Sequence, residues 1–239
     1  MSPMYTHKKH LFFDMDDTVS PSRTAMEDEV HALYASLTHD IIGVSGAQVS
    51  QIDYQIRSLP VYRLGQNGNE AVDPSGRQLW NEFLSDEHAQ YIREHIMNMR
   101  ALHGAEVAHE DDLIEHRGAQ MSYSLIGHHE ALEKKKQCDP DRRVRLSLLE
   151  KVPFEHEALE VKIGGTTCFD YFQKGKHKGY NVARLIEHMG WEKDACMYFG
   201  DAIFPGGNDE TVIGVIDTFP VLNHLHTYRV LKEHFLSLE

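Results

Sequence analysis

The chain has 239 residues, 41% of them hydrophobic and 26% charged, with a formal net charge of −13. That length and apolar content suffice for one large core or for two domains of ordinary size. The acidic balance argues against a nucleic-acid or anionic-membrane partner, either of which asks for a basic face, and no apolar run approaches the ~20 residues that cross a bilayer.

In chain order, Phe12 and Phe13 end a first strand, and the loop after it presents Asp14, Asp16 and Thr18. Met26, Val30, Leu33, Tyr34 and Leu37 recur at helical spacing. A second apolar run, Asp40 to Val44, leads to Ser45, and Val49, Ile52 and Ile56 mark another helix. A strand followed each time by a helix predicts a parallel sheet with crossover helices, an α/β fold whose working side chains stand at the carboxyl ends of the strands. QNGNEAVDPSG, from Gln66 to Gly76, is rich in turn residues and marks a boundary, after which a long helical pattern is expected from near Gln78. LIEHRGAQMSYSLIG and LEVKIGGTTCFDYF read as strand pairs separated by a charged helix from Asp139 to about Val152. Strands and helices do not alternate singly there, which predicts a compact α+β cap over residues 77–173 inserted into a core of residues 1–76 and 174–239. The core resumes near Gly175 with Lys178 at a helix start, then a strand from Ala195 to Phe199 ending in Gly200 and Asp201, then a glycine-rich loop carrying Asn208 and Asp209. Gly76 and Gly175 lie at the two crossings and are candidate hinges for cap closure.

The chemistry is concentrated at those strand ends. A carboxylate that attacks phosphorus needs positive charge beside it, and a second carboxylate two residues on can handle the proton. Asp14 and Asp16 have that spacing, Ser45 offers a hydroxyl to the phosphoryl group, and Lys178 offers an ammonium. Asp201 supplies a further carboxylate suited to a hard Mg²⁺ ion, which takes oxygen ligands. Asp14, Ser45, Lys178 and Asp201 arrive in the order found in haloacid-dehalogenase-type phosphotransferases, and the chain resembles that superfamily, with a Rossmann-like parallel core.

The layout, cap included, is similar to the eukaryotic-type phosphomannomutases. The resemblance is carried by DMDDTVSPSR, NGNEA, IEHRG with SLIG, GGTTCFDYF, GKHKGYN and, most specifically, FGDAIFPGGNDE. It implies a Mg²⁺-dependent transfer of phosphate between the 6- and 1-hydroxyls of a hexose, through an aspartyl-phosphate on Asp14. Asp16 would then be the general acid and base. Asp14, Asp201 and the Asp16 carbonyl would hold Mg²⁺, with Asn208 and Asp209 supporting the metal loop, and Ser45 and Lys178 would hold phosphoryl oxygens. Arg23, Arg117 and Asp170 fall where the family binds its sugar phosphate. The resemblance also makes a homodimer through the cap plausible.

Three departures from the family pattern bear on the reaction. His128 stands where an arginine usually follows SLIG, and an imidazole with an ordinary pKa of about 6.5 is mostly neutral at pH 7 and offers no bidentate fork. Cys168 replaces a serine before the Phe-Asp pair, and Asp17 replaces a glycine beside the metal site. Weaker grip on the distal phosphate favours hydrolysis, so mutase and sugar-phosphate phosphatase both stay open. A non-catalytic phosphosugar-binding protein is the remaining alternative, against which the complete set of reacting groups counts.

The 17 histidines are scattered without a structural zinc pattern, and MSPMYTHKKH is not followed by a secretory apolar segment. Cys138, Cys168 and Cys196 are odd in number and form no C-x-x-C pair, which fits a reducing, cytoplasmic compartment.

Overall fold

The computed structural model describes residues 5–104 and 106–236, so the first four residues of MSPMYTHKKH lie outside it. Two compact units emerge, one of Met1–Asn81 with Lys176–Glu239, the other of Glu82–Gly175.

The first unit opens with β1 (His10–Asp14), all five residues of which are buried. Helix α1 (Asp28–Ser36), β2 (Asp40–Val44) and α2 (Val49–Gln55) follow, then β3 (Tyr62–Gly65), β4 (Glu70–Val72) and β5 (Gln78–Asn81). The helical pattern expected from near Gln78 therefore starts later. Residues 78–81 pair with β4 in antiparallel register, and the Trp80 indole N–H donates to the Gly68 carbonyl at 2.8 Å, which holds the segment extended.

The second unit begins with α3 (Asp86–His103), capped by the Ser85 hydroxyl and closed by Gly104 in the left-handed region. It continues through β6 (Ile114–His116), β7 (Gln120–Ser124), α4 (Leu132–Cys138), α5 (Arg143–Lys151), β8 (Leu159–Gly164) and β9 (Cys168–Gln173). The four strands form one antiparallel sheet in the order β6-β7-β9-β8. The charged helix expected over Asp139 to Val152 is shorter, because Asp139 precedes a proline and the residue before proline disfavours helix. Asp139 instead caps α5, accepting from the Val144 N–H at 2.9 Å, and pairs with the Arg145 guanidinium at 2.7 Å. Arg145 is buried, and its other donors reach the Gly164 and Gly165 carbonyls.

The chain then returns to the first unit with α6 (Lys178–Met189), β10 (Cys196–Gly200), β11 (Asp217–Pro220) and α7 (His224–His234). The sheet order is β11-β10-β1-β2-β3-β4-β5, parallel from β11 to β3 and antiparallel beyond. Alternation along β1 sorts the core into two layers. Leu11 and Phe13 pack with α1, α2 and α7 on one face, and Phe12 packs with Val182, Leu185 and Ile186 of α6 on the other. The first unit is thus a helix–sheet–helix sandwich, an α/β fold with a mostly parallel central sheet. Among the described residues no helix is long and apolar enough to cross a membrane.

Removing one partner of a buried ion pair strands the other charge, at a cost of about 3–5 kcal/mol. Arg145→Met is therefore expected to destabilise the second unit by that order in urea unfolding; a change under ~1 kcal/mol would show that Asp139 finds water or another donor.

Candidate active site

Strand register brings the chemistry together. Phe13 lies opposite Phe199 and Asp14 opposite Val44, so β1, β2 and β10 end at one level. Asp14 ends β1, Ser45 follows β2 by one residue, and Asp201 follows β10 by one.

Lys178 is the first residue of α6, and its ammonium, 1% exposed, donates to Asp14 Oδ1 at 2.5 Å and to Asp209 Oδ1 at 2.7 Å. Two glycines permit this approach. A Cβ on Gly179 would meet the Thr211 carbonyl oxygen at 1.8 Å, and one on Gly200 would meet the Asp209 carboxylate at 2.4 Å. Asn181, one turn into α6, donates to the Asn67 carbonyl and to Asn69 Oδ1, tying the helix to the NGNEA segment.

Asp209 is fully buried and also accepts from the Tyr198 hydroxyl at 2.7 Å and the Ala202 N–H at 3.3 Å. Asp14, Asp201 and Asp209 place one oxygen each within 4.8 Å of one another. Three carboxylates against one ammonium leave an excess of two negative charges when all are ionised. Burial and then the Asp209 and Asp201 charges push the Asp14 carboxyl well up, against the pull of Lys178. Burial and then Asp209 raise Asp201 to about 6. Burial works against the Lys178 ammonium, but Asp14 and Asp209 outweigh it and keep the group charged. This is an oxygen-rich, electron-dense cluster, and its donor set fits a hard divalent cation.

The other expected residues of the core divide. Ser45 is buried, and its Oγ accepts from the Ala47 N–H at 3.0 Å, which leaves its own proton to give. The Asp16 carboxylate stands apart from the acidic trio, with Oδ1 accepting from the Arg23 backbone N–H at 2.9 Å and from the Gln55 amide at 3.0 Å. Arg23 is half-buried, and Asn208 is exposed. Asp17 takes the left-handed φ of 58° for which glycine is best suited, and its charge adds to the field that raises Asp201.

In the second unit Arg117, Asp170, His128 and Cys168 form one polar cluster on the antiparallel sheet. Arg117 donates through Nε and Nη2 to Glu115 Oε2, at 2.8 and 2.5 Å, and lies 3.8 Å from Asp170. His128 is buried, with Nε2 donating to the Ser122 carbonyl at 3.2 Å and Nδ1 3.7 Å from Glu115 and 3.9 Å from the Cys168 sulfur. Burial raises the Cys168 thiol.

Comparison with known proteins fits this geometry. The sequence model of the eukaryotic phosphomannomutase family matches residues 40–233. The chain belongs to that family. Phosphomannomutase 2 of Dictyostelium discoideum is 27% identical over 94% of this chain and 96% of its own length. The Saccharomyces cerevisiae phosphomannomutase is 27% identical over 83% and 82%. Among solved structures, a haloacid dehalogenase-like hydrolase from B. subtilis aligns with TM-score 0.62 at 14% identity, covering 95% of this chain and 100% of that one. A haloacid dehalogenase-like hydrolase from Bacteroides thetaiotaomicron aligns with TM-score 0.57 at 14% identity, over 87% and 86%. The eukaryotic phosphomannomutase family places this chain among the haloacid-dehalogenase-type phosphotransferases.

Three site residues escape a reading for motifs. Glu115 lies in β6 two residues before Arg117, which directly follows the strand, and the two side chains meet. Tyr198 is a polar-tipped residue in a buried strand. Gln55 continues the buried stripe of Val49 and Ile52 along α2.

Asp201 titrates at about 6 in the fold against an ordinary 3.8, so the fold holds this proton more tightly than the unfolded chain does. Its ionisation costs stability as pH rises through that window, and the cost is constant above it. In metal-free buffer, Asp201→Asn is expected to gain melting temperature over the wild type from pH 4 to about 6, then hold the gain; a difference flat across pH 4 to 7 would contradict the crowding.

Proposed function

We propose that the protein catalyses Mg²⁺-dependent phosphoryl transfer on a hexose phosphate through an aspartyl-phosphate on Asp14. The observation that carries this reading is the buried Asp14–Lys178–Asp209 contact with Asp201 beside it. Asp14, Asp201 and the Asp16 carbonyl are proposed to hold the cation, and Asp209 to orient Lys178. When bound, Mg²⁺ supplies charge neutralisation for the entering phosphate.

In the first half, a free Asp14 oxygen attacks phosphorus while Lys178 and the Ser45 hydroxyl hold phosphoryl oxygens. The bond to the sugar oxygen breaks, and that oxygen takes a proton from Asp16. In the second half a hydroxyl gives its proton to Asp16 as it attacks the aspartyl-phosphate, and Asp14 is released. Arg117 is proposed to bind the non-reacting phosphate, Asp170 and Cys168 to face the sugar hydroxyls, and Arg23 to contribute a second guanidinium. The three free cysteines suit a cytoplasmic setting.

A second reading, sugar-phosphate phosphatase, is favoured by the second unit's cluster. Glu115 already occupies two donors of Arg117, and the His128 ring nitrogens are taken up with the Ser122 carbonyl, Glu115 and Cys168. A loosely held bisphosphate would leave the aspartyl-phosphate to water.

With Mg²⁺ and mannose 1-phosphate, ³¹P NMR is expected to show hexose 6-phosphate that depends on catalytic glucose 1,6-bisphosphate; inorganic phosphate alone would establish the phosphatase. Asp14→Asn should abolish both products, and turnover retained in it would remove Asp14 as nucleophile. His128→Arg is expected to raise the ratio of hexose 6-phosphate to inorganic phosphate, and an unchanged ratio would acquit His128. Chelation of Mg²⁺ should stop turnover and lower the melting temperature at pH 7.5, where the carboxylates are charged.

A further inference from the structure

Gln55 is the last residue of α2 and is 0% exposed. It lies on the helix's inward stripe with Val49 and Ile52, a position where an apolar side chain would ordinarily pack. Its amide nitrogen donates to Asp16 Oδ1 at 3.0 Å and to Ser20 Oγ at 3.2 Å, while its Oε1 finds no partner among the described residues. Burying an amide with half its hydrogen-bonding capacity unmet is unfavourable, and a helix needs no glutamine there. The contact therefore serves something other than the fold.

Its target is one oxygen of one carboxylate. Asp16 Oδ1 receives two N–H donors, from the Arg23 backbone and from Gln55, whereas Oδ2 accepts no hydrogen bond among the described residues. The terminal torsion of an aspartate is broad, so a carboxylate held at one point turns about its Cβ–Cγ bond. Two donors on Oδ1, one from the loop that carries Asp16 and one from α2, remove that freedom.

We infer that Gln55 is a positioning residue for Asp16, anchoring Oδ1 so that Oδ2 is the oxygen that exchanges the proton with the sugar. This rests on the reading of Asp16 as general acid and base. When Asp14 takes the phosphoryl group, the phosphorus–oxygen bond to the sugar breaks, its electron pair stays on the sugar oxygen, and Oδ2 delivers the proton there. In the second half the incoming hydroxyl's proton goes to Oδ2, its oxygen bonds to phosphorus, and the electron pair of the broken Asp14–phosphorus bond returns to Asp14. Arg23 reaches Oδ1 through its backbone, so Gln55 is the side chain through which this geometry can be changed.

The test exploits leaving groups. Nitrophenolate departs from p-nitrophenyl phosphate without a proton, whereas a sugar alkoxide needs one. With Mg²⁺ present, Gln55→Met is expected to release a first equivalent of nitrophenolate within about twofold of the wild-type rate, since proton transfer is not involved. Subsequent nitrophenolate turnover, which needs Asp16 as base, and kcat for mannose 1-phosphate should both fall about 10- to 100-fold with KM little changed, the scale of a misplaced acid–base group. The variant's melting temperature should match or exceed the wild type's. A first equivalent slowed as much as mannose 1-phosphate turnover would mean that Gln55 only supports the fold, and unchanged rates on both compounds would remove it from the reaction. Asp16→Asn, run alongside, should show the same split more severely. If Asp16→Asn shows it and Gln55→Met does not, the positioning role fails alone; if Asp16→Asn does not show it, the assignment of Asp16 fails with it. Should Gln55→Met not fold, Gln55→Glu keeps the shape without the amide donor and is held to the same outcomes.

Discussion

The carboxyl end of the parallel sheet is arranged around one buried ammonium. Lys178 is shielded from water and stays charged because Asp14 and Asp209 face it from two sides. A lone ion in that setting would neutralise itself, and a lone carboxylate would do the same. Their mutual presence keeps both signs of charge where phosphate chemistry needs them. Much of the local structure serves that contact. Gly179 lets α6 begin against a neighbouring backbone, Gly200 lets Asp209 lie across the end of β10, and Tyr198 satisfies the same Asp209 oxygen that Lys178 reaches. Asp201, a third carboxylate, raises the excess from one negative charge to two when all are ionised and makes the end of the sheet receptive to a divalent cation.

The polar cluster of the second unit follows a different logic. There Arg117, buried on the antiparallel sheet, is held by Glu115 and lies near Asp170. A guanidinium occupied in this way is held in place, and any other anion must share it with a carboxylate or displace one. His128 and Cys168, two of the three positions where the chain departs from the usual family residues, touch each other beside that group. The departures therefore alter one local environment together.

The sequence was most legible where function constrains residues singly. Asp14, Lys178 and Asp201 each stand at the end of an element that hydrophobic pattern alone locates, so motif and fold were read together. Boundaries were less legible where a tertiary contact outranks local preference. Residues 78–81 look helical in isolation, yet the Trp80 indole and the β4 ladder hold them extended. Asp139 and Pro140 delay the start of the charged helix, expected from Asp139, to Arg143. The supporting residues were the least visible. Gln55 hides in an apolar stripe, and Tyr198 in a strand, because their value lies in a partner distant in sequence and leaves no local pattern. Glu115 was within reach, since a carboxylate two residues before an arginine at a strand end is a local signal of a held guanidinium.

The order of the strands has a consequence for how the protein comes into being. β1 lies between β2 and β10, but β10 is made only after the whole second unit has been synthesised. Until then a buried, apolar strand has one side unpaired, and such an edge is a template for association with another chain. Asp14 and the lysine that faces it are 164 positions apart, so the carboxylate waits for its counter-charge as long as the strand waits for its neighbour. The second unit, whose strands and helices pack among themselves, can reach its own structure while the first is still incomplete. A nascent chain thus carries the exposed half of its catalytic sheet through most of translation, and the last quarter of the sequence both closes that edge and completes the charge balance of the site.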